Sequence, residues 1–122
     1  MYAYLARKHA EHGSDLQILL YPSDEFGGRG GQELPNERIP EFVRRKGLPT
    51  DGGGCILMEK CRVNGGAAPA WKHAKAAFPG EIQWNFEGIF VFDESGTCVG
   101  RFGASDAVVG SALDQLLEKL LA

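Results

Sequence analysis

Trp84 and Asn85 stand side by side just ahead of an apolar run, Gly88-Ile89-Phe90-Val91-Phe92, and a further amide, Gln32, follows the glycine-rich stretch Gly27 to Gly31. An indole N–H is a donor only, and a carboxamide carries two more N–H donors, so the Trp-Asn pair can aim hydrogen bonds at an anion formed in a crevice. Each residue also has a plainer reading. Trp84 can be a buried ring, Asn85 a turn residue and Gln32 a solvated loop amide. The chemistry therefore depends on which elements bring the three together.

The chain has 122 residues, 43% of them hydrophobic, enough for one domain over 1–122 with a single core. A net charge of -3 without a basic run gives no footprint for nucleic acid or an anionic membrane. No apolar segment reaches membrane-span length, and Met1-Tyr2-Ala3-Tyr4 followed by charges is not a signal peptide. Cys55, Cys61 and Cys98 are odd in number and lack metal-ligand spacing, which points to a reducing compartment, the cytoplasm, rather than a disulfide framework.

Tyr2, Leu5, Ala6 and His9 recur at helical spacing with Arg7, Lys8 and Glu11 on the opposite side, predicting a helix over 1–12 that Gly13 terminates. As given, the sequence offers that helix no N-cap side chain. Leu16 to Tyr21, stopped by Pro22, has the pattern of a strand covered on both faces in a parallel or mixed sheet. Parallel strands are joined by crossover helices, so a strand is expected before the first helix. The loop from Pro22 to Glu33 lies beyond the carboxyl end of that strand, where open α/β sheets place their sites. It completes neither a P-loop nor a dinucleotide fingerprint, and a single Arg-Gly-Gly is no RNA-binding tract.

Further on, Asn36 can cap a helix to about Lys46 with Ile39, Phe42 and Val43 inward, and Ile56 to Val63 reads as a short strand or extended segment before an Asn64-Gly65 turn. Pro69 starts a helix to Ala77 that Pro79-Gly80 breaks. A hairpin pairs Ile89–Phe92 with Thr97–Phe102, and Val109, Leu113, Leu116, Leu117 and Leu120 form the stripe of a closing helix. The order fits an α/β, thioredoxin-like three-layer sandwich with a mixed central sheet whose first strand is missing. Cys55, in a glycine-rich loop, is expected to be the more exposed thiol, with Cys61 and Cys98 as small buried hydrophobes. His9 and His12 share a helix face without an evident third metal ligand, and Trp71 is expected in the core.

Read together with these elements, the chain resembles the glutathione peroxidase family lacking its amino-terminal part. The likeness runs from about Leu5 to the end. It rests on Leu16 to Pro22 with Phe26-Gly27-Gly28, Gln32-Glu33 with Asn36-Glu37, Glu59 to Gly65, Pro69-Ala70-Trp71-Lys72, and Trp84-Asn85-Phe86 with Ile89-Phe90-Val91. The resemblance implies reduction of hydrogen peroxide or organic hydroperoxides by a selenocysteine or cysteine nucleophile, in the response to oxidative stress. Glutathione, or a thioredoxin-type protein, would restore the enzyme, with no bound cofactor. Gln32, Trp84 and Asn85 would be three members of the catalytic tetrad, and the nucleophile would stand just before the first helix, upstream of Met1. Selenocysteine is encoded by a codon ordinarily read as stop, so a reading frame restarted at the next methionine would begin as this chain does, as would a genuine truncation or a degenerate copy.

Such a site works because only the chalcogen anion is a good nucleophile, and donors that hold it before attack lower the barrier. Removing one donor from a comparable anion-stabilising site costs about 3 kcal/mol. The sequence departs from the family at Ser23-Asp24-Glu25, where Cys-Asn-Gln is usual, and in the spacing around Gln32. Arg44 occupies the position of the resolving cysteine of thioredoxin-dependent members, favouring a glutathione-type cycle, and the short Pro79 to Gln83 stretch favours a monomer. The alternative class is a non-catalytic thioredoxin-like module that binds a thiol peptide or a protein.

Overall fold

The structure is a computed structural model and describes residues 1–23, 38–59, 61–64, 68–83 and 87–122. Helix α1 (Tyr2–His12) is followed by a 3₁₀ turn and strand β1 (Ile18–Leu20). Then come α2 (Ile39–Arg45), β2 (Asp51–Gly52), β3 (Cys55–Leu57), α3 (Pro69–Ala77), the hairpin β4 (Ile89–Phe92) and β5 (Cys98–Phe102), and α4 (Ala112–Leu121). The α3 bounds coincide with the sequence expectation, because Pro69 is preorganised for the first turn. The hairpin turn is fixed by Asp93, whose Oδ1 accepts from the Ser95 and Thr97 amides at 3.0 Å each.

The fold is mixed α/β with two small sheets among the described residues, not one central sheet. In the first, β1 pairs parallel with β3 and β2 pairs antiparallel with β3, in the order β1-β3-β2. The second is the antiparallel β4-β5 pair, with a register irregularity at Val91/Phe92. Among the described residues β1 and β2 are the edges of the first sheet, and β4 and β5 each pair only with the other.

Helix α1 joins the two. Its Tyr2, Leu5 and Ala6, together with Ile18, Leu20 and Leu57 of the sheet, pack on the buried set Ile39, Val43, Leu48 and Cys55. Leu5 also packs with Tyr4, Val91 and Leu113, the second core, which draws in Ile89, Phe102 and Leu116. Val43 and Leu48 are fully buried, each contributing about 1.5–3 kcal/mol of transfer free energy. A third cluster, Val63 and Ile82 with Trp71 and Phe90, lies beside the hairpin.

Several expectations are corrected. Lys8 is buried rather than solvent-facing, because the carboxylates of α4 close over it and widen the covered arc of α1. Cys55 is fully buried, since pairing with Ile18 draws it out of the loop and into the first core, and burial pushes its thiol pKa up. Strand β1 is covered on one face only: Leu19 and its register partner Ile56 are exposed. The extended segment predicted over 56–63 is a strand only to Leu57. Phe42 is exposed, meeting Tyr2 edge-on, and Val109 precedes α4 and is exposed. Trp71 is half-buried, and its ring packs edge-on between Tyr21 and Phe90, at 5.6 and 5.5 Å. Its Nε1–H is buried without a hydrogen-bond partner among the described residues.

Candidate functional site

The three donors singled out in the sequence, Gln32, Trp84 and Asn85, lie outside the described residues, as do Asn36 and the Gly65 of the turn. What the structure describes is the frame on either side of them. Beyond β1, Pro22 and Ser23 are buried, and the Pro22 carbonyl accepts from the Cys61 N–H at 2.9 Å. The backbone leading to residue 24 is thereby tied to the segment after β3. Helix α1 runs back along the sheet: near its C-terminal end His9 Nδ1 approaches Gly54, whose carbonyl accepts from Ile18 at the start of β1. Its amino end therefore points toward the carboxyl end of β1. No side chain caps its first turn, which leaves the positive end of the helix dipole unneutralised by its own cap.

The approach to Trp84 is held more closely. Arg101, on β5, donates from its Nη1 to the carbonyls of Phe78, Pro79 and Gly80 at 2.9, 2.9 and 3.1 Å, and from its Nη2 to that of Glu81 at 3.2 Å. The guanidinium also lies over the Phe90 ring, 5.3 Å from its centroid. The next residue, Ile82, is taken by Asn64: Asn64 Nδ2 donates to the Ile82 carbonyl and Oδ1 accepts from the Ile82 N–H, both at 2.8 Å. Lys75 Nζ supports Asn64, donating to its Oδ1 at 3.3 Å and to the Val63 carbonyl at 3.1 Å. Five consecutive residues, Phe78 to Ile82, are thus bound by two side chains, ending two positions before Trp84.

Sequence reasoning missed both clamps. Asn64 reads locally as a turn residue and Arg101 as one polar residue of a strand; their partners lie 18 to 23 positions away. The same segment borders a polar groove of about 520 Å³ lined by Glu81, Gln83, Glu87, Arg101 and Asp106 among others.

The charged cluster between α1 and α4 is structural. Lys8 Nζ lies 2.6 Å from Asp114, 2.8 Å from Glu118 and 3.2 Å from Glu11. Asp114 also accepts from the Gly110 N–H at 2.9 Å and from the Tyr4 hydroxyl at 2.8 Å. The Gly110 amide first, and then Lys8, hold its carboxyl down to about 2. Burial, and the hydrogen bond to Asp114, push the Tyr4 phenol up. Burial works against the Lys8 ammonium, but its bonds to Asp114 and Glu118 outweigh it and the pKa rises.

His12 turns toward Glu11 and Glu118 rather than toward His9, and the three ligand atoms lie within 4.8 Å of one another. The Lys8 ammonium already bridges both carboxylates, so this group is an ion-pair cluster with its cation supplied by the chain. No helix among the described residues is long and apolar enough to cross a membrane.

Comparison with known proteins adds to this frame. The chain is 36% identical to glutathione peroxidase 1, mitochondrial, of Chlamydomonas reinhardtii over 92 residues, 73% of this chain and 43% of that protein. It is 34% identical to a glutathione peroxidase of Lactococcus lactis, over 71% of this chain and 54% of the relative. The Nicotiana sylvestris protein named probable phospholipid hydroperoxide glutathione peroxidase is 29% identical over 94% of this chain and 64% of its own length. The chain thus spans between about two fifths and two thirds of the length of these relatives. No family model and no solved structure matches it. By its likeness to several such proteins along most of its length, and with a mixed α/β fold consistent with theirs, the chain belongs to the glutathione peroxidase family.

Proposed function

We propose that this chain forms the larger part of a thiol-dependent peroxidase acting on hydrogen peroxide or organic hydroperoxides, with Gln32, Trp84 and Asn85 as the anion-stabilising donors. The observation that carries the reading is the likeness to glutathione peroxidases on both sides of the candidate site. The nucleophile, a selenocysteine or cysteine, comes from a strand and turn preceding α1. Two features support that placement: β1 and β4, like β2 and β5, each have one side unpaired among the described residues, and α1 packs on the cores of both sheets. A strand laid between β1 and β4 would complete a thioredoxin-like three-layer sandwich.

In the reaction the thiolate or selenolate attacks one peroxide oxygen, the O–O bond breaks, and the departing alkoxide takes a proton to leave as alcohol or water. The chalcogen is left as a sulfenic or selenenic acid. One glutathione displaces water to give a mixed disulfide or selenenylsulfide, and a second releases the reduced enzyme and oxidised glutathione. Arg44 at the position of a resolving cysteine favours this cycle over a thioredoxin-type partner. Glutathione serves as co-substrate without a bound cofactor, and the unit acts as a cytoplasmic monomer, in keeping with its three cysteines outside any disulfide and the short loop before Ile82.

The test is peroxide-dependent oxidation of glutathione by this chain and by the chain extended upstream through the nucleophile. Activity in the extended form alone is expected. Inactivity of both rejects the enzyme in favour of a thioredoxin-like binding module.

A further inference from the structure

The geometry points to Asn64 as a positioning residue of the candidate site, fixing through Ile82 the stretch of backbone that delivers Trp84 and Asn85. The inference rests on the peroxidase reading for its functional consequence, but not for its structural one.

A carboxamide that meets both the N–H and the C=O of one residue imitates a neighbouring strand. Asn64 does so to Ile82 with two bonds of 2.8 Å, fixing the rotation of that peptide segment as well as its distance. Ile82 itself is buried against Val63, so side chain and backbone are held from the same direction. The preceding four carbonyls are taken by Arg101, leaving little slack upstream. Lys75 polarises the Asn64 carbonyl oxygen and orients the amide, so that its NH₂ faces the Ile82 carbonyl. The restraint covers every residue from Phe78 to Ile82. It fits a segment whose next residues must present donors at a set place, because misplacing a reacting or stabilising group by about 1 Å costs on the order of 10²-fold in rate.

The test uses the 122-residue chain with Trp71→Phe, which leaves Trp84 as the single indole. The indole N–H resonance of Trp84 and its quenching by acrylamide are compared in Asn64→Ala and Asn64→Asp. Asn64→Ala loses both bonds to Ile82 and is expected to shift the resonance and raise the quenching. Asn64→Asp keeps the acceptor for the Ile82 N–H and for Lys75 but loses the donor, so a smaller shift is expected in a chain of retained stability. Unchanged Trp84 signals in folded variants overturn the inference; if Asn64→Ala does not fold, Asn64→Asp alone decides.

In the upstream-extended chain, Asn64→Ala should lower kcat/KM for peroxide by about 10²-fold, and full activity there overturns the inference. If the unsubstituted extended chain is itself inactive, the peroxidase reading fails while the indole result still decides the role of Asn64.

Discussion

The ammonium of Lys8 lies 2.6 Å from the carboxylate of Asp114, joining the first helix to the last across 106 residues of sequence. Both side chains are buried, and Asp114 has two further donors, Tyr4 and Gly110. Removing one member of a buried pair leaves the other charge desolvated and unpaired, which costs about 3–5 kcal/mol. Lys8→Met should therefore lower the unfolding free energy by about that amount in urea denaturation. Lys8→Met with Asp114→Asn should recover part of the loss, since an amide keeps hydrogen-bonding capacity without the charge.

The same pair sets an acid limit. Asp114 titrates at about 2 in the folded chain against an ordinary 3.8, so its carboxylate form is favoured by folding. The stabilisation it gives is fully present above the ordinary value and is lost as pH falls through about 2. Stability measured from pH 5 downward should decline through this window, and the decline should be shallower in Asp114→Asn. No difference in slope between the two chains would remove Asp114 as its source. Tyr4 and Lys8, both raised, act at the other end: their contribution is present below their unfolded pKa values and is lost only as pH rises through the folded ones.

Adjacent glycines should respond unequally to the same substitution. Gly53 and Gly54 have φ of +71° and +104°, but a Cβ on Gly53 meets nothing within 4 Å, whereas one on Gly54 would lie 2.5 Å from the Gly13 carbonyl oxygen. Gly53→Ala should cost about 1–2 kcal/mol, the strain of a left-handed alanine. Gly54→Ala should cost more, because backbone must move to admit the methyl group. Thermal melts of the two variants would show the order, and an equal shift would refute the close approach.

Thiol reactivity should follow burial rather than loop composition. Cys55 is fully buried with a raised pKa and Cys98 is also buried, while Cys61 is part-exposed. Brief alkylation of the native chain followed by peptide mass analysis should find Cys61 modified first and Cys55 last. Denaturation should make all three equal.

What could be read in the sequence was what neighbours decide. Pro69 and Pro79-Gly80 bracket α3, and Asp93 to Gly96 close the hairpin, because these signals act within a few residues. Lys8 and Cys55 were misjudged for the opposite reason. Lys8 owes its burial to α4, which is more than 100 positions away, and Cys55 owes its burial to pairing with Ile18. A helical wheel has no means of seeing a carboxylate from another helix. At the candidate site, residue types named the donors Gln32, Trp84 and Asn85, but those residues lie outside the described structure. The clamps by Asn64 and Arg101 became visible only with the fold, since an amide gripping a distant peptide leaves no periodic trace.

Leu5 belongs to both principal cores, touching the set around Val43 and Leu48 on one side and that around Val91 and Leu113 on the other. A protein with two separate sheets could melt in two stages, each half at its own temperature. A shared side chain at the seam couples them, because loosening either half uncovers the same leucine. Heat or denaturant should accordingly bring down both halves in one cooperative transition, and trimming Leu5 to alanine is the change that would let them come apart separately.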